Sequence, residues 1–280
     1  MPAFLVYFLF SLVPIFYNFY NSLFKTDLMS PSVFVGLRNY SNLLKDSTFM
    51  HALANNLIMV VGSLLAHMPL ALLFAAILFQ KIKGAKFFQI VFFLPSVICG
   101  VAVGLTWTFI YHSEFGLLNG LLDLLRLSSL KNQWLANPDT VLLCIVAVVM
   151  WQFVGYHMII QLAAMKNIPG SLYEAAEIDG ASKFQSLVKV VLPVSSPGVG
   201  SVAIFAFNYC WNEYVLASLF LKPKELRTLP IGLQMFVQEN TKEWGLLTAA
   251  SIVTIIPILI FFIFMQRYLV AGLTAGAVKG

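Results

Sequence analysis

The sequence predicts an all-α membrane protein with six transmembrane helices, and three observations carry that prediction. The first is composition. Of 280 residues, 60% are hydrophobic and only 10% are charged, whereas soluble domains run near 45–50% apolar and about 25% charged. Mean hydropathy is +0.86, and no soluble core of this length could hide 25 phenylalanines and the accompanying leucines from water. The bilayer is the solvent that fits. The second is that six stretches reach the roughly 20 mostly apolar residues that a membrane-crossing helix needs. They are 2–24, 52–79, 87–111, 141–165, 199–221 and 246–266. The third is that the alternating ten-residue segments of a closed barrel are missing. Soluble enzymes, fibrous repeats, disulfide scaffolds and disordered chains are excluded by the same figures.

Taken in order, the first stretch lacks the basic flank and small-residue cleavage site of a signal peptide, so it reads as a span. Pro14, Pro69, Pro95 and Pro257 mark the first, second, third and sixth stretches as helices with packing kinks. His67 and His157 lie in the second and fourth, each read as one satisfied interhelical hydrogen bond. Glu213 in the fifth is the only carboxylate in any span. Cys99, Cys144 and Cys210 sit inside apolar runs and read as small buried hydrophobes, with neither a disulfide nor a metal spacing. The net charge of +5 reflects lysines and arginines scattered through short polar gaps, which is a matter of topology and not of nucleic-acid binding. These cations divide almost evenly between the two sets of gaps. The positive-inside rule therefore chooses no orientation, although the short 81–86 turn has the density of an inner loop. No repeat relates the two halves, which argues against a secondary transporter.

The polar gap after the fourth span is the most informative segment. Ser171 with Glu174, and Ser182 with Gln185, have the spacing of two capping boxes. Gly180 stands where a first short helix must end in a left-handed residue, and Pro193 is placed to stop a second. Phe184, Leu187, Val188 and Val191 form an apolar stripe at helical spacing. The gap thus reads as a helical hairpin, shaped either to transmit a push or to lie on lipid headgroups.

Glu174-Ala175-Ala176, then Gly180, then Val190, Leu192 and Pro193 resemble the cytoplasmic signature of ABC importer permeases. Asp179 and Ala181 match the frequent core of that signature, and Val190 replaces a commoner isoleucine. The resemblance covers nearly the whole chain. Trp211-Asn212-Glu213, 229–233 and the ending 267–280 look like the smaller maltose-type sugar permease, while 34–40 and Phe93-Leu94-Pro95 look like its larger counterpart. The resemblance implies a type I ABC importer permease fold. A first helix and outer segment (1–51) would precede a five-helix core (52–266) with a coupling loop (166–198) and a cytoplasmic tail (267–280). It further implies that Glu174, Ala175, Ala176, Asp179, Gly180, Ala181, Leu192 and Pro193 dock on one of two ABC ATPase subunits. Both termini would then be cytoplasmic in a bacterial inner membrane. A second permease, either a different chain or another copy, and an extracellular solute-binding protein complete the implied assembly.

The chain has no phosphate-binding loop, no zinc motif and no catalytic constellation. It is therefore read as a transport subunit that binds no cofactor, metal or nucleic acid, with ATP and magnesium on the partner ATPase. Candidate path residues come from polar and aromatic groups in spans, since an ionisable group there usually faces a bundle interior or water path. Asn208, Tyr209, Trp211, Asn212 and Glu213 form the first set. Trp151, Gln152, Tyr156, His157 and Gln161 form a weaker second. Flat apolar rings beside amides and a carboxylate suit a sugar, and the same groups would also serve as glue between helices. The reading is an importer permease for a carbohydrate. A same-class importer of amino acid, polyamine or phosphate, or an ATP-independent channel, is the alternative.

Overall fold

The structure, a computed structural model, describes residues 2–26, 31–80, 82–221, 226–239 and 244–277. Lys81 of the expected inner turn, 222–225 and 240–243 of the last outer segment, 278–280 of the tail and the Phe184 side chain lie outside them.

Helix α1 (Pro2–Ser22) is followed by strands β1 (Phe24–Lys25) and β2 (Val33–Phe34), helix α2 (Arg38–Lys45) and helix α3 (Ser47–Phe79). Next come α4 (Ala85–Val97), α5 (Gly100–Ile110), α6 (Leu117–Leu124) and α7 (Pro138–Lys166). The polar gap forms α8 (Gly170–Ile178) and α9 (183–194), after which the chain continues as α10 (Ser196–Trp211), α11 (Val215–Phe220), α12 (Leu229–Glu239) and α13 (Trp244–Ala277). Four helices, α1, α3, α7 and α13 up to Tyr268, are long and apolar enough to cross a membrane, and two bent pairs bring the number to as many as six.

The long helices start where side chains take their first orphan amides. The Asp46 carboxylate accepts the Thr48 and Phe49 amides at 2.8 and 3.3 Å and opens α3. Asn137 accepts the Asp139 amide at 3.0 Å, with Pro138 at the first position of α7. Asp139 in the first turn and Lys166 in the last oppose the helix dipole in the favourable sense.

Two expected spans are not single helices. Between α4 and α5 the axis turns by 98°. Pro95 has no amide to donate, the Ser96 hydroxyl donates to Phe93 O at 2.7 Å, and Cys99 is extended at φ −56°, ψ 133°. That turn leaves Cys99 exposed, unlike the buried Cys144 and Cys210. The fifth span is broken as well, because α10 ends at Trp211 and α11 restarts at Val215. Pro193 does not stop α9. The helix runs through it to Val194 and bends by 69° before α10. A π turn at Leu187–Val191 widens the helix where the proline ring would meet the residue-189 carbonyl, and α1 has the same device at Phe8–Leu12 ahead of Pro14. The extra residue also rotates the apolar stripe out of phase, so Val191 is buried while Val188 is exposed.

The chain divides into two compact units, 1–57 with 221–260, and 58–220 with 261–280. In the first, β1 and β2 pair antiparallel with Phe24 opposite Phe34. The buried Asn39 amide donates to Ser22 O and Phe24 O at 2.8 and 3.0 Å, and Asn55 donates to Arg227 O at 3.2 Å. In the second, small residues of α3, Ala71 and Ala75, pack on Val154, Met158, Leu162 and Met165 of α7. Close helix approach through small side chains is the ordinary way to gain dispersion contact in lipid.

Helix α4 crosses α7 at Gly155, where an added Cβ would overlap the Phe92 carbonyl. Backbone cannot yield as a side-chain end can. Gly155→Ala is therefore expected to destabilise the fold by about 2 kcal/mol or more, read as a lower unfolding midpoint in detergent. Gly62→Ala, whose Cβ would meet the two Val146 methyls at 3.4 and 3.7 Å, ordinary contact distances, should not lower the midpoint.

Candidate functional site

The hairpin of α8 and α9 is built by local chemistry. Helix α8 begins at Gly170 after Pro169, without a side-chain cap. The expected box of Ser171 with Glu174 does not form, since the helix starts two residues earlier, with Pro169 at the N-cap position. At its other end Gly180 has φ +72°. Its amide donates to Glu177 O at 3.0 Å, and the Ala181 amide donates to Ala176 O at 3.0 Å, the paired bonds of a Schellman ending. Ser182 and Gln185 do form a reciprocal capping box, the Ser182 amide on Gln185 Oε1 at 2.9 Å and the Gln185 amide on Ser182 Oγ at 3.3 Å.

The hairpin presents Glu174, Ala175, Asp179 and Gly180 to the outside, with Ile178 85% exposed, while Ala176 is buried. Ala181 and Leu192 are half-buried and Pro193 is exposed. Tyr173 ties the hairpin to the bundle. Its hydroxyl donates to Met165 O at 3.3 Å, its ring stacks on Phe79 at 5.2 Å, and burial pushes its phenol above the ordinary tyrosine range.

Within the same unit, α3, α7 and α10 line an open-sided cavity of about 280 Å³. His67, Phe153, Tyr156, His157, Asn208 and Tyr209 are among the residues that line it. The two imidazoles, 90 residues apart, are hydrogen-bonded at 2.8 Å between His157 Nδ1 and His67 Nε2. Tyr209 lies 4.1 Å from Phe153, ring to ring, and Tyr156 flanks His157 at 5.4 Å. Nothing in the spacing of either histidine announces the other. The signal that could have paired them is that both are polar side chains in apolar spans, each in need of a partner.

The remaining candidates go elsewhere. Trp211 is 1% exposed and stacks on Phe207 at 5.5 Å. Asn212 is exposed and donates to the Asn208 backbone and side-chain oxygens at 2.8 and 3.0 Å. Glu213, 4% exposed, accepts the Leu216 amide at 2.6 Å, so it caps α11. Gln152 donates to Ile98 O at 3.2 Å, which is a carbonyl freed by the break between α4 and α5. Gln161 is buried, and Trp151 lies edge-on to Trp107 at 5.5 Å.

A likeness to known proteins covers the whole of this architecture. A chain of a bacterial ABC transporter involved in the import of the acidic polysaccharide alginate superposes with a TM-score of 0.79 at 20% identity, over 100% of this chain and 94% of that one. A probable ABC transporter permease protein of Bacillus subtilis, YurN, is 41% identical over 196 residues, 69% of this chain and 67% of the relative. NgcF, the diacetylchitobiose uptake system permease protein of Streptomyces coelicolor, is 30% identical over 256 residues, 87% of this chain and 72% of the relative. The profile described as the inner membrane component of binding-protein-dependent transport systems matches residues 1–275, and the chain belongs to that family.

Proposed function

We propose that this chain is the permease subunit of an ATP-driven importer and that its solute is a carbohydrate. The observation that carries the solute class is the cavity. Tyr156, Tyr209 and Phe153 offer ring faces, while His67, His157 and Asn208 add hydrogen-bonding groups to the same wall. Sugars need both, since their C–H faces stack on aromatic rings and their hydroxyls require donors and acceptors. The name of the diacetylchitobiose relative supports the same class.

In this reading two ABC ATPases carry the ATP and magnesium, and this chain binds no cofactor. A second permease, a different chain or a second copy, completes the pathway, and a solute-binding protein delivers the sugar from outside. The hairpin of α8 and α9 faces the ATPase, so both termini are cytoplasmic. Closure of the ATPases pushes the exposed face around Glu174, Ala175 and Ile178, and rigid-body rocking of the permeases alternates access to the cavity. The Schellman ending and the capping box make the hairpin stiff enough to pass the push on.

Gly180→Pro removes the amide that closes α8 and demands a backbone angle that proline cannot adopt. Gly180→Pro and Glu174→Lys should each lower solute uptake by roughly tenfold or more, about 1.4 kcal/mol of coupling, at unchanged membrane abundance and with ATP hydrolysis retained. Normal uptake in both variants removes the coupling assignment.

Tyr156→Ala deletes a stacking face of the cavity and should raise the half-saturating sugar concentration by roughly three- to tenfold, the worth of one aromatic contact. Competition then decides the solute class. Unlabelled oligosaccharides should suppress uptake, whereas amino acids, polyamines and phosphate should leave it alone; suppression by one of those instead overturns the carbohydrate reading.

A further inference from the structure

The segment between α5 and α7 carries a feature that transport does not use. Helix α6 is strongly two-faced. Leu117, Leu121 and Leu124 fall at i, i+4 and i+7, one face of the helix, and Leu117 and Leu124 are 73% and 80% exposed. Phe115, just before the helix, is exposed beside them.

The other face is locked onto its own loop. Asn119 is buried, and its amide donates to Ser113 O at 2.9 Å and Asn132 O at 3.1 Å. Its oxygen accepts the Trp134 indole N–H at 2.8 Å. Asp123 accepts from Ser128 at 2.8 Å and from Lys131 at 2.7 Å, and the Lys131 and Ser128 bonds hold its carboxyl below the usual carboxylate range. The polar side is thus tied to the 113–134 loop through buried Asn119 and exposed Asp123, and it cannot roll over to cover the leucines.

Exposed apolar faces of this kind mark an interaction surface, and the position of α6 names the occupant. It starts seven residues after the end of α5 at Ile110 and packs against α5. Helix α5 turns Gly104 toward Leu216 and Leu219 of the protein and leaves Val101, Leu105 and Phe109 exposed at i, i+4 and i+8, the face that a membrane-spanning segment gives to lipid. Helix α6 follows that span directly and leaves an apolar face of its own uncovered.

We propose that α6 lies in the plane of the membrane interface, with Phe115, Leu117, Leu121 and Leu124 inserted at the boundary between headgroups and acyl chains. The occupant is lipid, and the helix fixes the depth at which the broken third span sits. The inserted face carries no charge. Its binding therefore rests on buried apolar area and not on anionic headgroups.

The test is collision accessibility of nitroxide labels in the assembled importer, reconstituted in bilayers of phosphatidylethanolamine and phosphatidylglycerol. Cysteines are placed by Leu121→Cys and Leu124→Cys in a Cys99→Ser background, since Cys144 and Cys210 are buried. Labels at 121 and 124 should collide several-fold more with oxygen than with a water-soluble nickel chelate, at a depth of about 5–10 Å. A label from Ser128→Cys should show the reverse. Preference for the nickel chelate at 121 and 124 means that water covers the face, and protection from both reagents means that a protein does; either overturns the proposal. If a label at 124 lowers the membrane abundance, Leu117→Cys reports on the same face with the same outcomes.

Discussion

Backbone polar groups inside a bilayer have no water to fall back on, and this chain breaks two of its apolar segments at that depth. Each unsatisfied amide or carbonyl in hydrocarbon costs several kcal/mol, whereas a satisfied hydrogen bond gains only about 0.5–1.5 kcal/mol. The asymmetry makes the partner of a break obligatory. Gln152 of α7 takes the Ile98 carbonyl at the first break, and Glu213 takes the Leu216 amide at the second. For Gln152 to reach Ile98, α4 must lie close on α7, which the missing side chain at Gly155 permits. The position of α4 on α7 follows from Gln152 and Gly155, while Glu213 keeps the start of α11 satisfied within its own segment.

This changes how polar residues in the spans are weighed. An ionisable or amide group at membrane depth is a functional candidate by default, and Gln152 and Glu213 qualify on sequence alone. In the fold both are occupied by backbone, as amides and carboxylates in turns usually are. The polar groups left facing a cavity are His67, Tyr156, His157, Asn208 and Tyr209. Glu213 still borders this set, four residues on from Tyr209.

How much was legible in the sequence follows from what each signal measures. Hydropathy finds α1, α3, α7 and α13, because long apolar runs have one solution in lipid. It is blind to axis direction, so the two broken segments read as straight spans. Pro95 was visible as a breaker, but whether a proline kinks a helix or turns it by 98° depends on Gln152 of α7, 54 residues beyond the Ile98 carbonyl that it takes. Pro193 shows the opposite case, because a π turn just ahead of it absorbs the ring. Local caps divide in the same way. Ser182 with Gln185 works where nothing competes, whereas Ser171 with Glu174 loses to Pro169, which starts α8 earlier. The histidine pair was legible only as two polar side chains in apolar spans, each in need of a partner, since its geometry exists only once α3 and α7 are packed.

The same two helices tie the hairpin to the cavity. Tyr173 rests on Phe79 at the end of α3 and on Met165 at the end of α7. His67 lies twelve residues back along α3 and His157 eight residues back along α7, roughly 18 and 12 Å at 1.5 Å per residue. Between them Ala71, Ala75, Met158 and Leu162 are buried against one another, and a close-packed interface of this kind resists compression. A displacement at Tyr173 therefore reaches the imidazole pair as movement of whole helices and not as side-chain relaxation. Under the proposed coupling, the bond at 2.8 Å between the two imidazoles is where relative sliding of α3 and α7 would first register. The wall of the cavity is thus mechanically continuous with the surface that the ATPase would push.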